Sequence, residues 1–461
     1  SLSFIIIIII IIIIIIIIII IIIIIIIIII IINGGARAPP GPFPWPLIGN
    51  AAQLGKAPHL YFSRMAKKYG NVFQIKLGNR TVVVLNGELE SNRRWLNRDR
   101  TSAGRPDFAS FQYVSSGNSL AFGTSTDFWK EQRRVAHSSV RICLWLKLRR
   151  NRFFQPMNYM VVSIANTMSA VCFGERYSYE DEEFRQVIGR NDQFTQTVGA
   201  GSIVDVMPWL QYFPNPIKNM FNNFIKLNLE FTTFIHDKVL EHRKSIQSAP
   251  SGISQIKPVF HEEGVRLCDC SDRGHLGASQ DTLSTAMQWI VLVLVNYPEL
   301  QLRLQQEVDR VVDRSRMPSI EDQSQVPYVM AFIYEVMRYT SFNTVVFINQ
   351  WSVNHDPGIW SNPETFDPER FLDQNGELNK DLTGNVLIFS LGKRRCIGEE
   401  LSKLHLFLFT SMLVHLCYIS PDPSRPPDMG YTYGLTMKPN GYYIAVTPRD
   451  DIGFDIARCC L

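Results

Sequence analysis

The segment Phe389-Ser-Leu-Gly392-Lys-Arg-Arg395-Cys396-Ile-Gly398 places one cysteine between two glycines, directly ahead of an apolar run, Glu399 to Leu416, that reads as a buried helix. Gly392 can take a positive-φ turn, and Gly398 lets a flat partner approach the backbone closely. The helix behind the loop directs its free N–H groups and the positive end of its dipole at the sulfur. Arg395 adds a positive charge. Both effects favour thiolate over thiol, and the thiolate is the ligating form. A buried cysteine on its own is more often inert packing. The loop sets Cys396 apart from the cysteines at 143, 172, 268, 270, 417, 459 and 460, none of which forms a C-x-x-C pair.

Other spacings add chemistry, each weak alone. Glu335 and Arg338 stand three apart, so a helix would put them on one face. Arg370 follows about thirty residues later. Trp129 and Arg133 stand four apart, close enough for an indole N–H and a guanidinium to reach one anion. In Ala278-Ser-Gln-Asp281-Thr282 the Thr282 hydroxyl can bond back to the Ala278 carbonyl and open the helix locally. Asp281 beside it completes a candidate proton-delivery pair.

The elements that must carry these residues are mostly helices. Phe221–Arg243, Asp281–Asn296, Pro298–Val312, Tyr328–Tyr339 and Glu399–Leu416 have helical spacing or composition. Gln74–Leu77 and Thr81–Leu85 flank Gly78-Asn79-Arg80 as a hairpin, and Thr344–Ile348 and Tyr442–Val446 read as strands. The expected fold is mainly α with a minor β-sheet. With 461 residues and 46% hydrophobic content the chain can bury a large core, and a net charge of +4 argues against a nucleic-acid binder. Ile5–Ile32 is an unbroken isoleucine run. As a helix it would be about 42 Å long, enough to cross a hydrocarbon core of about 30 Å with tilt. The positive charges after it would keep the body cytoplasmic. A translated simple repeat would give the same homopolymer. The division expected is an N-terminal transmembrane anchor over 1–36, a proline-rich linker over 37–50 and the functional body over 51–461.

Taken in chain order, Trp129/Arg133, Ala278–Thr282, Glu335/Arg338, Arg370 and the F-x-x-G-x-x-x-C-x-G loop resemble the cytochrome P450 superfamily of haem-thiolate monooxygenases. The phrases Val206–Pro216 and Gly277–Ser284 resemble vertebrate family 1, subfamily B. The resemblance implies haem b with Cys396 as axial ligand to the iron, in a loop shaped by Phe389, Gly392 and Gly398. It implies propionate contacts from Trp129, Arg133 and Arg395, and a supporting network of Glu335, Arg338 and Arg370. Asp281 and Thr282 would deliver protons. Phe122, Asn191, Phe194 and Ala278 would line a flat pocket for planar aromatic or steroid-like lipophilic substrates. Electrons would come from NADPH through a flavoprotein reductase docking near Lys393, Arg394 and Arg395. The setting implied is the endoplasmic reticulum membrane, with a mitochondrial membrane as the other destination and lipid as a partner. Two readings stay open beside it: an inactive haem-binding product of a damaged gene, and an isomerase of the same fold. The segments 89–104, 141–158 and 255–275 depart from the family pattern. At Phe342-Asn343-Thr344 roughly twenty residues that the family carries are missing, including a strand over the haem.

Overall fold

A computed structural model of the chain describes residues 39–78, 80–87, 105, 108–113, 153–173, 177, 181–182, 184–186, 188–189, 193, 203–248, 262–341, 348–392, 395–434 and 436–449. Seven helices organise these residues: α1 (Pro58–Tyr69), α2 (Met157–Phe173), α3 (Pro216–Ser248), α4 (Glu262–Asn296), α5 (Pro298–Val311), α6 (Pro327–Thr340) and α7 (Glu399–Leu416). Proline opens α1, α5 and α6, where its missing N–H costs nothing and its fixed φ already suits the helix. α4 is the axis of the molecule. Leu283 to Val295 is buried on every side, so α2, α3, α5, α6 and α7 can all pack against it.

The strands form three antiparallel pairs among the described residues. β1 (Val72–Leu77) pairs with β2 (Arg80–Leu85), β3 (Cys417–Pro421) with β6 (Ile444–Pro448), and β4 (Tyr431–Thr432) with β5 (Lys438–Pro439). The second edge of β3 is covered by side chains of α5. Gln301 donates to the Ile419 carbonyl at 3.0 Å and accepts from the Ile419 N–H at 2.7 Å, and Gln305 donates to the Cys417 carbonyl at 3.1 Å. Two buried glutamines thus do for this edge what a further strand would do.

Several boundaries differ from those the sequence suggests. α4 is 35 residues long and begins at Glu262, so the part of the 255–275 stretch from Glu262 on is helical although it departs from the family pattern. α3 likewise runs from Pro216 to Ser248. Once the buried half of a helix is formed, each added polar residue gains a backbone hydrogen bond without a new nucleation cost, and apolar periodicity does not register it. Of the strand expected at 344–348, Ile348 alone is described, in an isolated parallel bridge to Leu85. The proline-rich stretch is not a free linker from residue 40 on. Gln74 N–H donates to the Pro40 carbonyl at 2.9 Å, Lys76 N–H to Asn50 Oδ1 at 2.8 Å, and Gly49 bridges Leu77. Residues 40–50 therefore belong to the globular body. No helix of the described residues is long and apolar enough to cross a membrane, and the isoleucine run lies outside them.

Candidate functional site

The cysteine loop is a tight turn locked to its own ends. Cys396 N–H donates to the Phe389 carbonyl at 2.8 Å, and Arg395 N–H to the Gly392 carbonyl at 3.1 Å. Gly392 has φ +70°, the left-handed conformation in which glycine carries no penalty. Ser390 is also left-handed, at φ +61°, which no sequence signal announced. Gly398 caps α7 with an ordinary φ of −90°. A Cβ there would lie 3.9 Å from Cys396 Sγ, a normal contact, so nothing within the chain itself demands glycine. Ser402 N–H donates to the Gly398 carbonyl at 2.7 Å, starting the helix one turn behind the sulfur.

Cys396 is exposed and outside any disulfide. Cys417, the other cysteine whose side chain is described, is fully buried, and burial pushes its thiol up to about 12. At neutral pH such a group stays a thiol. Arg395 does not project freely. Its Nε lies 2.5 Å from Glu399 Oε2, one turn into α7, and Lys403 Nζ is 2.9 Å from Glu399 Oε1. Burial pushes the Glu399 carboxyl up, but the hydrogen bonds from Arg395 and Lys403 outweigh it and hold the group below its ordinary value. The expected propionate contact thus competes with an ion pair one helical turn away. Phe389 packs against the core beside Lys403, whose ammonium lies 5.9 Å from its ring.

Behind the loop, α6 brings Glu335 and Arg338 together with no exposure of either side chain. Arg338 uses all five of its N–H donors. Nε and Nη2 grip Glu335 at 2.7 Å each, Nη1 reaches the carbonyls of Asn354 and Pro363 at 2.9 Å, and Nη2 also reaches that of Thr365 at 3.3 Å. The short 3-10 turn Pro368–Phe371 delivers Arg370, whose Nε lies 3.2 Å from Glu335 Oε2. Arg370 also donates to the Ser361 and Thr365 carbonyls at 2.7 and 3.0 Å. Glu335 Oε1 accepts in addition from Asp367 N–H at 2.9 Å.

On α4, Thr282 Oγ1 donates to the Ala278 carbonyl at 2.8 Å, and Ala278 is exposed within a helix that is otherwise buried from Leu283 on. Asp281 does not join Thr282. Its carboxylate turns to the sheet, where Lys438 Nζ lies 2.8 Å from Oδ1 and Thr436 Oγ1 donates to Oδ2 at 2.8 Å. Neither Lys438 nor Thr436 was legible as a site residue, because each lies more than 150 residues from Asp281 (436 and 438 against 281) and no local spacing links them. Trp129, Arg133, Phe122, Asn191, Phe194, Lys393 and Arg394 lie outside the described residues, as does the junction at 342–347.

The Cytochrome P450 family model matches residues 39–342 and 341–446 of this chain. The chain belongs to the cytochrome P450 family. Among curated relatives, human Cytochrome P450 1B1 is 47% identical over 477 residues, covering 90% of this chain and 88% of that protein. The rat Cytochrome P450 1B1 is 45% identical with the same coverage. Cytochrome P450 1A1 of Limanda limanda is 34% identical over 479 residues, covering 90% and 91%. The likeness within the superfamily is therefore to family 1, and to subfamily B within it. The protein is a P450 monooxygenase, and the cofactor of this family is haem b. The residues present fit that group. An exposed cysteine at a helix N-terminus supplies one soft thiolate donor, and a glycine-turned loop lets a flat macrocycle lie close.

Proposed function

We propose that this P450 oxidises planar aromatic or steroid-like lipophilic substrates, with Cys396 as the axial thiolate ligand of the haem. The observation that carries the assignment is the contrast between the two described cysteines. Cys396 is open at the end of α7, whereas the Cys417 thiol is buried and raised to about 12. Bound through a thiolate, the haem would supply O₂ activation, in which one oxygen atom goes to the substrate and the other to water. The chain's own residues do the rest. The loop hydrogen bonds fix the turn that presents the sulfur, and the dipole of α7 favours its thiolate form. The Glu335–Arg338–Arg370 network fixes the core beneath the loop. Thr282 and Asp281 deliver protons, and Thr282 relaxes the helix by holding the Ala278 carbonyl. Trp129 and Arg133 bind the propionates, with Arg395 available when it leaves Glu399. Phe122, Asn191, Phe194 and Ala278 line the substrate pocket.

In this reading electrons come from NADPH through a flavoprotein reductase that docks on the basic face at Lys393, Arg394 and Arg395. Residues 1–36 anchor the protein in the endoplasmic reticulum membrane, with the body that follows in the cytosol. Exposed apolar side chains support lipid contact near that end. Phe43, Trp45 and Leu47 are exposed just after the anchor, and Trp209, Tyr212 and Phe213 are exposed elsewhere. Gly78, at the end of β1, touches the chain near each group. Gly78 donates to the Ile48 carbonyl at 3.1 Å, and its Cα lies against the Val206 carbonyl.

The test of the ligand is the spectrum of the reduced, carbon monoxide-bound protein. Cys396→Ala should lose the red-shifted Soret band of a thiolate-ligated haem, and Cys417→Ala should keep it. The opposite pattern would sink the assignment.

A further inference from the structure

Asp281, Thr285 and Trp289 stand at i, i+4 and i+8, so they share one face of α4. All three are engaged by the segment around β5. Asp281 meets Lys438 and Thr436 at 2.8 Å each, Thr285 Oγ1 lies 3.4 Å from Thr436 Oγ1, and Trp289 Nε1 donates to the Met437 carbonyl at 2.8 Å. Farther along, Tyr442 OH donates to the Gln288 carbonyl at 2.6 Å. The Asp281 side chain is 5% exposed and that of Lys438 is 27% exposed. The lysine therefore reaches from a buried carboxylate to solvent. Among the described residues Lys438 is the charged group paired with Asp281, and the other partner of the carboxylate is the Thr436 hydroxyl.

With Oδ1 met by Lys438 and Oδ2 by Thr436, the Asp281 carboxyl group is fixed in one orientation. We infer that Lys438 is a positioning residue for the reaction: it fixes the Asp281 carboxyl group, one residue from Thr282, where it exchanges protons between the solvent side and the Thr282 side. The group takes one proton and releases one, so it is unchanged at each turnover. Without Lys438 it would lose that orientation and relay protons slowly. The inference rests on the reading of Asp281 and Thr282 as the proton-delivering residues.

The experiment compares Lys438→Met, Lys438→Arg, Asp281→Asn and the Lys438→Met/Asp281→Asn double variant of the full chain, loaded with haem and reconstituted with reductase. Lys438→Met should lower product formed per NADPH several-fold, raise peroxide release and enlarge the solvent deuterium isotope effect, with KM nearly unchanged. Lys438→Arg should restore all three. The double variant should behave as Asp281→Asn alone. A second measurement needs no haem. The infrared band of the Asp281 carboxyl group, identified by its loss in Asp281→Asn, should move in Lys438→Met and keep its place in Lys438→Arg. The role of Lys438 falls if its Met variant couples normally while Asp281→Asn does not, if the two effects add, or if that band does not move. Normal coupling in Asp281→Asn would remove the underlying reading and the role of Lys438 with it.

Discussion

Glu335 is fully buried, and two of the five Arg338 donors meet its carboxylate at 2.7 Å each, while Asp367 N–H adds a third hydrogen bond. Removing one member leaves the other charged, buried and unpaired, which typically costs about 3–5 kcal/mol. Glu335→Ala should therefore lose stability on that scale in urea unfolding, and Arg338→Ala should do the same. Arg370→Ala should lose less, because its Nε meets Glu335 at 3.2 Å without forming a well-aligned hydrogen bond and its other donors go to carbonyls. Equal losses for Arg338 and Arg370 would contradict this ranking. The helical pair was readable from a spacing of three. The place of Arg370 came from the family resemblance and not from spacing, because a 3-10 turn sets it, and turns leave no periodic trace. Thr282 belongs to the readable class too, since its hydrogen bond to Ala278 is a local i to i−4 contact. Thr282→Ala should retain haem yet release peroxide in place of product, and an unchanged yield per NADPH would count against its role.

Helix α7 shows how an element transmits charge and burial together. Its first turn carries Glu399 and Glu400, which suit the positive end of the dipole, and Glu399 gathers Arg395 and Lys403 into a ladder beside the cysteine loop. Farther along, His405 is buried, and desolvation lowers it from 6.5 to about 4. His59 on α1 is lowered to about 4 and His355 to about 3, in both cases chiefly by burial. The folded state holds these rings neutral, whereas the unfolded chain protonates them below about pH 6.5. Their contribution is complete above that value and is lost as pH falls toward the folded values. For His405 the loss at about pH 5 is on the order of 2 kcal/mol. His405→Gln should flatten the fall of the unfolding midpoint between about pH 6.5 and about pH 4. An identical pH slope in the variant would dismiss the ring as its source. The limits of α7 could be read directly from an apolar run that begins after glycine. Strand β3 behind it could not, because its edge is completed by glutamines of α5, a contact with no sequence signature. Gln301→Leu would strip the Ile419 N–H and carbonyl of their partners, at a cost of about 1–3 kcal/mol. Urea unfolding would register that loss.

At the scale of the whole molecule, the family model matches this chain in two pieces that meet at residues 341–342, and its alignment with human Cytochrome P450 1B1 spans 477 positions, more than the 461 residues of the chain. The relative therefore contains internal residues that have no counterpart here. The ordered motifs made the family legible despite this, because each is local and keeps its own spacing. A missing connection between motifs appears only when the chain is set against relatives. Ser341 ends α6 in a left-handed conformation and is buried, and Ile348 is buried against Leu85. Seven Cα steps join them, a reach of at most about 25 Å. A strand of about five or six residues would use up all or nearly all of the six residues between them and leave too few for its turn. The Glu335–Arg338–Arg370 core closes without that piece, so the chain should fold. Its haem should be held weakly, since apolar contact is lost at about 25 cal/mol for each Å² left uncovered. Inserting about twenty residues of family sequence after Phe342, enough for one strand and its turn, should raise the haem-to-protein ratio and sharpen the carbon monoxide spectrum. The unfolding midpoint of the haem-free chain should shift much less. Full haem loading and normal turnover without the insert would mean that Ser341 and Ile348 already close the wall between them.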